Sequence, residues 1–238
     1  MNKLHPTEKH LQRLYYELSL IGARAVGENQ PWTYSYTNRE DLLVLAAQLS
    51  RFDPRLFHIL VDFIYHHWQE INPLTLRVFL KTAAAPQCLL VIYNFVAKAK
   101  KNSELNHLYN YLMNDIYPVN TQLYFSGLHA PGSKSMAKSV KFGLQEFIDW
   151  GFLAFEHPVV YQEQGGRLTL GHTGITARLN MAKKLAQQKG SFGLKDYLEV
   201  IQYCVSRQQA VLDLKGCKEF KMNGKGRGCM WSYTRPKS

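Results

Sequence analysis

The sequence predicts a mainly α chain with small β hairpins. Three observations carry this. Short apolar-periodic segments with capping residues fill the first 120 positions. Near Thr121 the texture shifts to glycines, serines and β-forming runs. From Gly190 onward, two helix patterns meet at a short break and lead into a glycine-rich pair of strand patterns. The expected organisation is a helical bundle over 1–120, a central α+β segment over 121–189 and a C-terminal module over 190–238. A chain of 238 residues is long enough to bury a sizeable core. Its composition, 46% hydrophobic and 20% charged, is that of a globular protein.

In the first helix Leu11, Leu14, Tyr15, Leu18 and Ile21 recur at three- and four-residue intervals, with Thr7 and Glu8 at its start. Gly27, Pro31 and polar neighbours then interrupt. Asn38 caps REDLLVLAAQLSRF, which Asp53-Pro54 ends. PRLFHILVDFIYHHWQEI follows with Pro54 in its first turn. Asn72 and Pro73 start NPLTLRVFLKTAA in the same way. APQCLLVIYNFVAKAKK and SELNHLYNYLMNDIY complete the run.

In the central segment Val140, Leu144, Phe147 and Ile148 mark one helix, with Gly151 as its C-terminal cap. FLAFEHPVVY and GRLTL read as two strands joined through Gly165-Gly166. A basic amphipathic helix, ITARLNMAKKLAQQKG, ends at Gly190.

The formal net charge is +11, and it is unevenly placed. Residues 181–238 carry 12 basic and 4 acidic side chains, a net of +8, against +3 for residues 1–180. Such a cluster favours an anionic partner, because each phosphate contact releases counterions. Within it Leu194, Tyr197, Leu198 and Ile201 form one apolar helix face. Ser206 is an N-cap for a second helix in which Ala210, Val211 and Leu214 face inward. Arg207, Gln208, Gln209, Asp213 and Lys215 are left outside. Arginine pairs with guanine edges and glutamine with adenine, and recognition helices carry such residues in their first turn. The glycines of GKGRG then place Lys225 and Arg227 at a tip able to approach a sugar–phosphate chain, with Lys221 on the strand before it. Trp231 and Tyr233 share a strand face, for packing against the helices or for stacking on bases.

With SRQQAVLDL followed by GKGRGCMWSY, the segment Phe192–Tyr233 resembles the winged helix-turn-helix DNA-binding superfamily. The KGCKEF joint between helix and wing is shorter than usual for such domains. The resemblance implies a cytoplasmic, prokaryotic transcriptional regulator that binds double-stranded DNA. Arg207, Gln208, Gln209, Lys215, Lys221, Lys225 and Arg227 would make the contacts. An antitoxin-type autorepressor fits the layout, with the helical region mediating homodimerisation or binding a partner protein. Two alternatives stand beside it. One is an interaction subunit docking RNA or an acidic protein. The other is a plasmid-type replication initiator with tandem winged helices, which requires the central segment to form a first copy.

Enzyme, cofactor and metal chemistry are not expected. GLHAPGSKS departs from a phosphate-binding loop because Ser133 separates Gly132 from Lys134. GKGRG is not a dinucleotide fingerprint, and Ser135–Lys138 matches Ser-x-x-Lys without supporting motifs. His58, His66 and His67 share one helix, with the first two turns away from the others. The cysteines Cys88, Cys204, Cys217 and Cys229 show no CxxC spacing and read as reduced thiols. Cys217 and Cys229 are expected as cross-strand neighbours at the wing's base. No apolar run reaches the roughly 18 residues of a membrane span, and the N-terminus lacks a signal peptide's apolar stretch.

Overall fold

A computed structural model of the chain describes residues 5–125, 132–162, 167–170, 175–201, 205–224 and 228–234. It is mainly helical, with small sheets of two or three strands. The chain divides into two units, Met1–Gly171 and His172–Ser238.

The first unit opens with six helices: α1 (Glu8–Leu20), α2 (Arg39–Leu49), α3 (Pro54–His67), α4 (Pro73–Thr82), α5 (Gln87–Lys100) and α6 (Ser103–Met113). Their starts follow the capping residues. Asn38 accepts from the Asp41 N–H at 3.0 Å, Asp53 from Arg55 at 2.8 Å, Asn72 from Leu74 at 3.1 Å and Asn102 from Leu105 at 3.0 Å. Each such cap is worth about 1 kcal/mol and sets a boundary that propensity alone leaves open. Single 3₁₀ turns extend α2 and α3.

The central residues do not form a segment of their own. β1 (Gln122–Leu123) pairs in parallel with β2 (Phe152–Leu153). Between them lie α7 (Lys134–Lys141) and the one-turn α8 (Gln145–Ile148). β3 (Val159–Tyr161) then pairs antiparallel with β4 (Arg167–Thr169). Tyr124, Phe125, Phe147 and Phe152 are fully buried in the same core as Phe57 of α3 and Phe95 of α5. The Phe147 ring lies 5.3 Å from both Phe57 and Phe95. Arg51 donates to the backbone oxygens of Leu123 and Tyr124, and Ser50 shares a 2.7 Å hydrogen bond with the Tyr124 hydroxyl. A boundary at 120 is therefore corrected: the core crosses it and runs on to Leu170.

Two further expectations change here. The single helix through Val140 and Ile148 is broken into α7 and α8, with Val140 exposed while Leu144 and Phe147 are buried. The strand expected over 152–161 is divided between two partners, β1 and β4. Pro158, just before β3, has no N–H to continue a ladder. The Gly165-Gly166 joint lies outside the described residues.

The C-cap of α8 is Asp149, and Gly151, expected as the cap, turns the chain two residues further on at φ +81. A Cβ placed there would lie 2.0 Å from the Val119 carbonyl oxygen. Val119 and Gln122 both donate to this corner, to the Trp150 and Gly151 oxygens at 3.2 and 3.0 Å. Gly151→Ala is expected to cost about 1–3 kcal/mol in backbone strain, with the clash adding to it. Urea unfolding of the full chain measures this; an unchanged midpoint refutes it.

The second unit is built from α9 (Ile175–Lys189), β5 (Ser191–Gly193), α10 (Leu194–Val200), α11 (Arg207–Gly216), β6 (Phe220–Asn223) and β7 (Met230–Tyr233). Its sheet runs β5-β7-β6, all antiparallel, with Phe192 opposite Trp231 and Phe220 opposite Tyr233. Leu185, Phe192, Tyr197, Leu214, Phe220 and Trp231 form its core. A boundary at 189/190 is corrected as well. Ala182, Leu185 and Ala186 of α9 belong to this core, and Gly190 (φ +75) only turns the chain from α9 into β5. Among the described residues, no helix is long and apolar enough to cross a membrane.

Candidate nucleic-acid interface

The site predicted from sequence centres on α11. Ser206 caps it, accepting from the Gln209 N–H at 3.1 Å. Ala210 and Leu214 are fully buried, which fixes the inward face. Asp213, expected outside, is also on that face and only 1% exposed. The reason is Arg178 of α9, itself buried, whose Nη2 lies 2.6 Å and Nε 2.8 Å from Asp213 Oδ2. A buried carboxylate held by a forked guanidinium is an ion pair whose solvation has been replaced by direct bonds. The other oxygen, Oδ1, accepts from the Gln209 side-chain amide at 2.9 Å. Gln209 is thus exposed as a residue, yet its amide is committed within the helix.

Arg207 and Gln208 are exposed at the start of α11, and Lys215 is exposed at its end. Gln208, Leu212 and Lys215, at helical spacings of four and three, lie on one outward face. Leu212, between Gln208 and Lys215 on this face, is 60% exposed. Arg207 also lines a groove of about 360 Å³ together with Lys195 and Leu198 of α10 and Gly228–Met230. Lys195, which the sequence did not single out, thereby joins Arg207.

Lys221 is exposed on β6, opposite Ser232. Strand alternation puts it on the sheet face away from Phe220 and Trp231. Trp231 is 3% exposed and Tyr233 packs on the core, so Trp231 stacks on no base. Lys225 and Arg227 lie outside the described residues. The register separates the two cysteines expected as neighbours. Phe220 faces Tyr233 and Asn223 faces Met230, which leaves Cys217 beyond one end of the ladder and Cys229 beyond the other.

Most acids of this unit are already spoken for. Asp213 pairs with Arg178, Glu219 with Lys183, and Asp196 with Lys189 at 2.8 Å. Lys189 and the Gly193 N–H hold the Asp196 carboxyl below its ordinary pKa. Among the described residues Lys184, Lys195, Arg207, Lys215, Lys218 and Lys221 have no ion-pair partner. The unit thus presents a net positive field made of free cations.

Burial pushes the Cys88 thiol up to about 12, so it stays protonated and unreactive. His66 Nδ1 lies 2.9 Å from the Asp62 carbonyl oxygen and His67 Nδ1 2.8 Å from Glu70 Oε1. Among the described residues, no group of three or more His, Cys, Asp or Glu side chains is placed to hold a metal. No family model, curated protein or solved structure matches the chain.

Proposed function

We propose that the C-terminal unit is a winged helix-turn-helix that binds double-stranded DNA, with α11 as its recognition helix. The observation that carries this is the division of α11. One side is locked by Ala210, Leu214 and the Arg178–Asp213 pair, the other presents Gln208, Leu212 and Lys215 to solvent, and Arg207 is exposed in the first turn. A rigid helix with a free polar and cationic face suits the major groove, where side chains meet base edges. The order of elements supports the same reading: a helix, a strand, two helices around a short break, then a hairpin whose last strand pairs with the first.

In this reading Arg207 and Gln208 discriminate bases, and Leu212 packs on a thymine methyl group. Lys195 and Lys215 hold phosphates, as do Lys225 and Arg227 at the wing. A regulator with one such unit is favoured over tandem winged helices. The central residues join the first unit's core, and their described strands form only two-stranded pairs.

The test is a fluorescence titration of the full chain against a duplex selected from a random library and against random DNA, at several salt concentrations. Arg207→Ala is expected to weaken the selected duplex by about 1–3 kcal/mol and random DNA far less. Lys195→Ala and Lys215→Ala are expected to weaken both alike and to reduce the salt slope by about one per lost phosphate contact. If selection yields no duplex better than random DNA and the three substitutions leave affinity unchanged, the reading is wrong and an interaction module takes its place.

A further inference from the structure

A cavity of the first unit lies between α3 and β3 and measures about 400 Å³. That is within the range of small-molecule sites, roughly 300–1,000 Å³. Its walls are mostly apolar. Pro54 and Ile59 come from the helix, Val159 and Tyr161 from the strand. The Arg24 guanidinium lies 5.9 Å from the centre of the Tyr161 ring and extends the flat surface.

One polar side chain faces this space without a protein partner. His58 is half-buried and lines the cavity, yet among the described residues neither ring nitrogen has a hydrogen bond. Burial lowers its pKa, against a smaller opposing pull from Asp53. A neutral imidazole offers one acceptor and one donor.

The charges along the rim cancel. Arg24 and Arg55 line the cavity, and so do Asp62 and Glu156. Arg24 is engaged with the Tyr161 carbonyl oxygen at 2.9 Å and lies 3.7 Å from Asp62. Asp62 also accepts the Tyr161 N–H at 2.7 Å, and Arg55 pairs with Asp53 at 3.4 Å. An anion would meet two carboxylates and a cation two guanidinium groups. The cavity's field therefore favours neither.

We propose that this cavity binds a small, flat, uncharged aromatic molecule that carries one hydrogen-bond donor, of the indole or phenol class, with the donor on His58 and the ring between Ile59 and Val159. The apolar walls supply the hydrophobic contact, and His58 supplies orientation.

Saturation-transfer NMR on the full chain tests this with indole, phenol, toluene, benzoate and benzylamine as probes. Indole and phenol are expected to bind. Toluene, which lacks the donor, and the two charged rings are expected to bind about 5–10-fold more weakly. His58→Ala is expected to weaken indole by a similar factor, and Ile59→Trp to abolish binding by filling the space. Circular dichroism melts establish that each variant is folded; if Ile59→Trp is not, Val159→Phe fills the same cavity from the strand side. The proposal is overturned if neither indole nor phenol binds at millimolar concentration. It is equally overturned if benzoate or benzylamine binds as well as indole, or if a folded, cavity-filled variant binds indole like the parent chain.

Discussion

Asp213→Ala is expected to destabilise the C-terminal unit by about 3–5 kcal/mol, the usual cost of leaving a buried charge without its partner. The substitution removes few atoms from α11 and little apolar area. What it removes is the countercharge of Arg178, whose side chain is only 5% exposed. The pair is not thereby a large net source of stability. Desolvating both ions offsets most of their attraction, so Asp213→Leu combined with Arg178→Met is expected to come out near neutral. Asp213→Asn keeps the shape and one hydrogen-bond acceptor but removes the negative charge, and falls between the two. Hydrogen exchange in β5, β6 and β7 of the full chain reads the unit's own opening free energy. A loss below about 1 kcal/mol for Asp213→Ala would mean that water reaches Arg178 and that the pair is not buried. Because the same carboxylate anchors Gln209 at 2.9 Å, Asp213→Ala is also expected to loosen the first turn of α11, where Arg207 and Gln208 sit.

The helices of the first unit were legible because they are marked locally. Asn38, Asp53, Asn72 and Asn102 each precede an apolar-periodic run, and a cap acts within three residues of itself. The boundary at 120 failed for the opposite reason. What ties 121–170 to the helices is a set of aromatic contacts between residues far apart in sequence, such as Phe57 with Phe147. Composition shifts near Thr121, but the core does not follow composition. In the second unit the polar face of α11 was legible at Arg207, Gln208 and Lys215, and wrong at Asp213. A signal for Asp213 was present. Arg178 stands four, seven and eight residues before Ala182, Leu185 and Ala186, and Asp213 stands between Ala210 and Leu214, so helical spacing puts each charge on a buried stripe. Two opposite charges on two apolar stripes are a candidate buried pair. His58 carried no such mark, since only the fold shows which histidine of α3 faces an unfilled cavity.

Phe147→Ala is expected to cost about 3–5 kcal/mol, and the way that loss is distributed tests where the first unit ends. Phe147 is fully buried, with its ring 5.3 Å from Phe57, 5.3 Å from Phe95 and 4.9 Å from Tyr124. It sits on α8, a helix of four residues, far too short to persist by propensity. α8 is held in place by Phe147, by Leu144 and by Asn94 of α5, whose amide donates to the Asp149 carboxylate at 2.9 Å. Removing the ring opens a cavity among side chains from α3 and α5 as well as from the central residues. The two regions are therefore expected to weaken together, as one cooperative transition at lower urea, with native-state hydrogen exchange in α3 and α5 falling alongside that around β2. Limited proteolysis is expected to leave no resistant fragment ending near residue 120. If instead the variant keeps α1–α6 fully protected while residues 121–170 are cut away, the helices hold a core of their own, and the contacts through Phe147 are docking rather than folding.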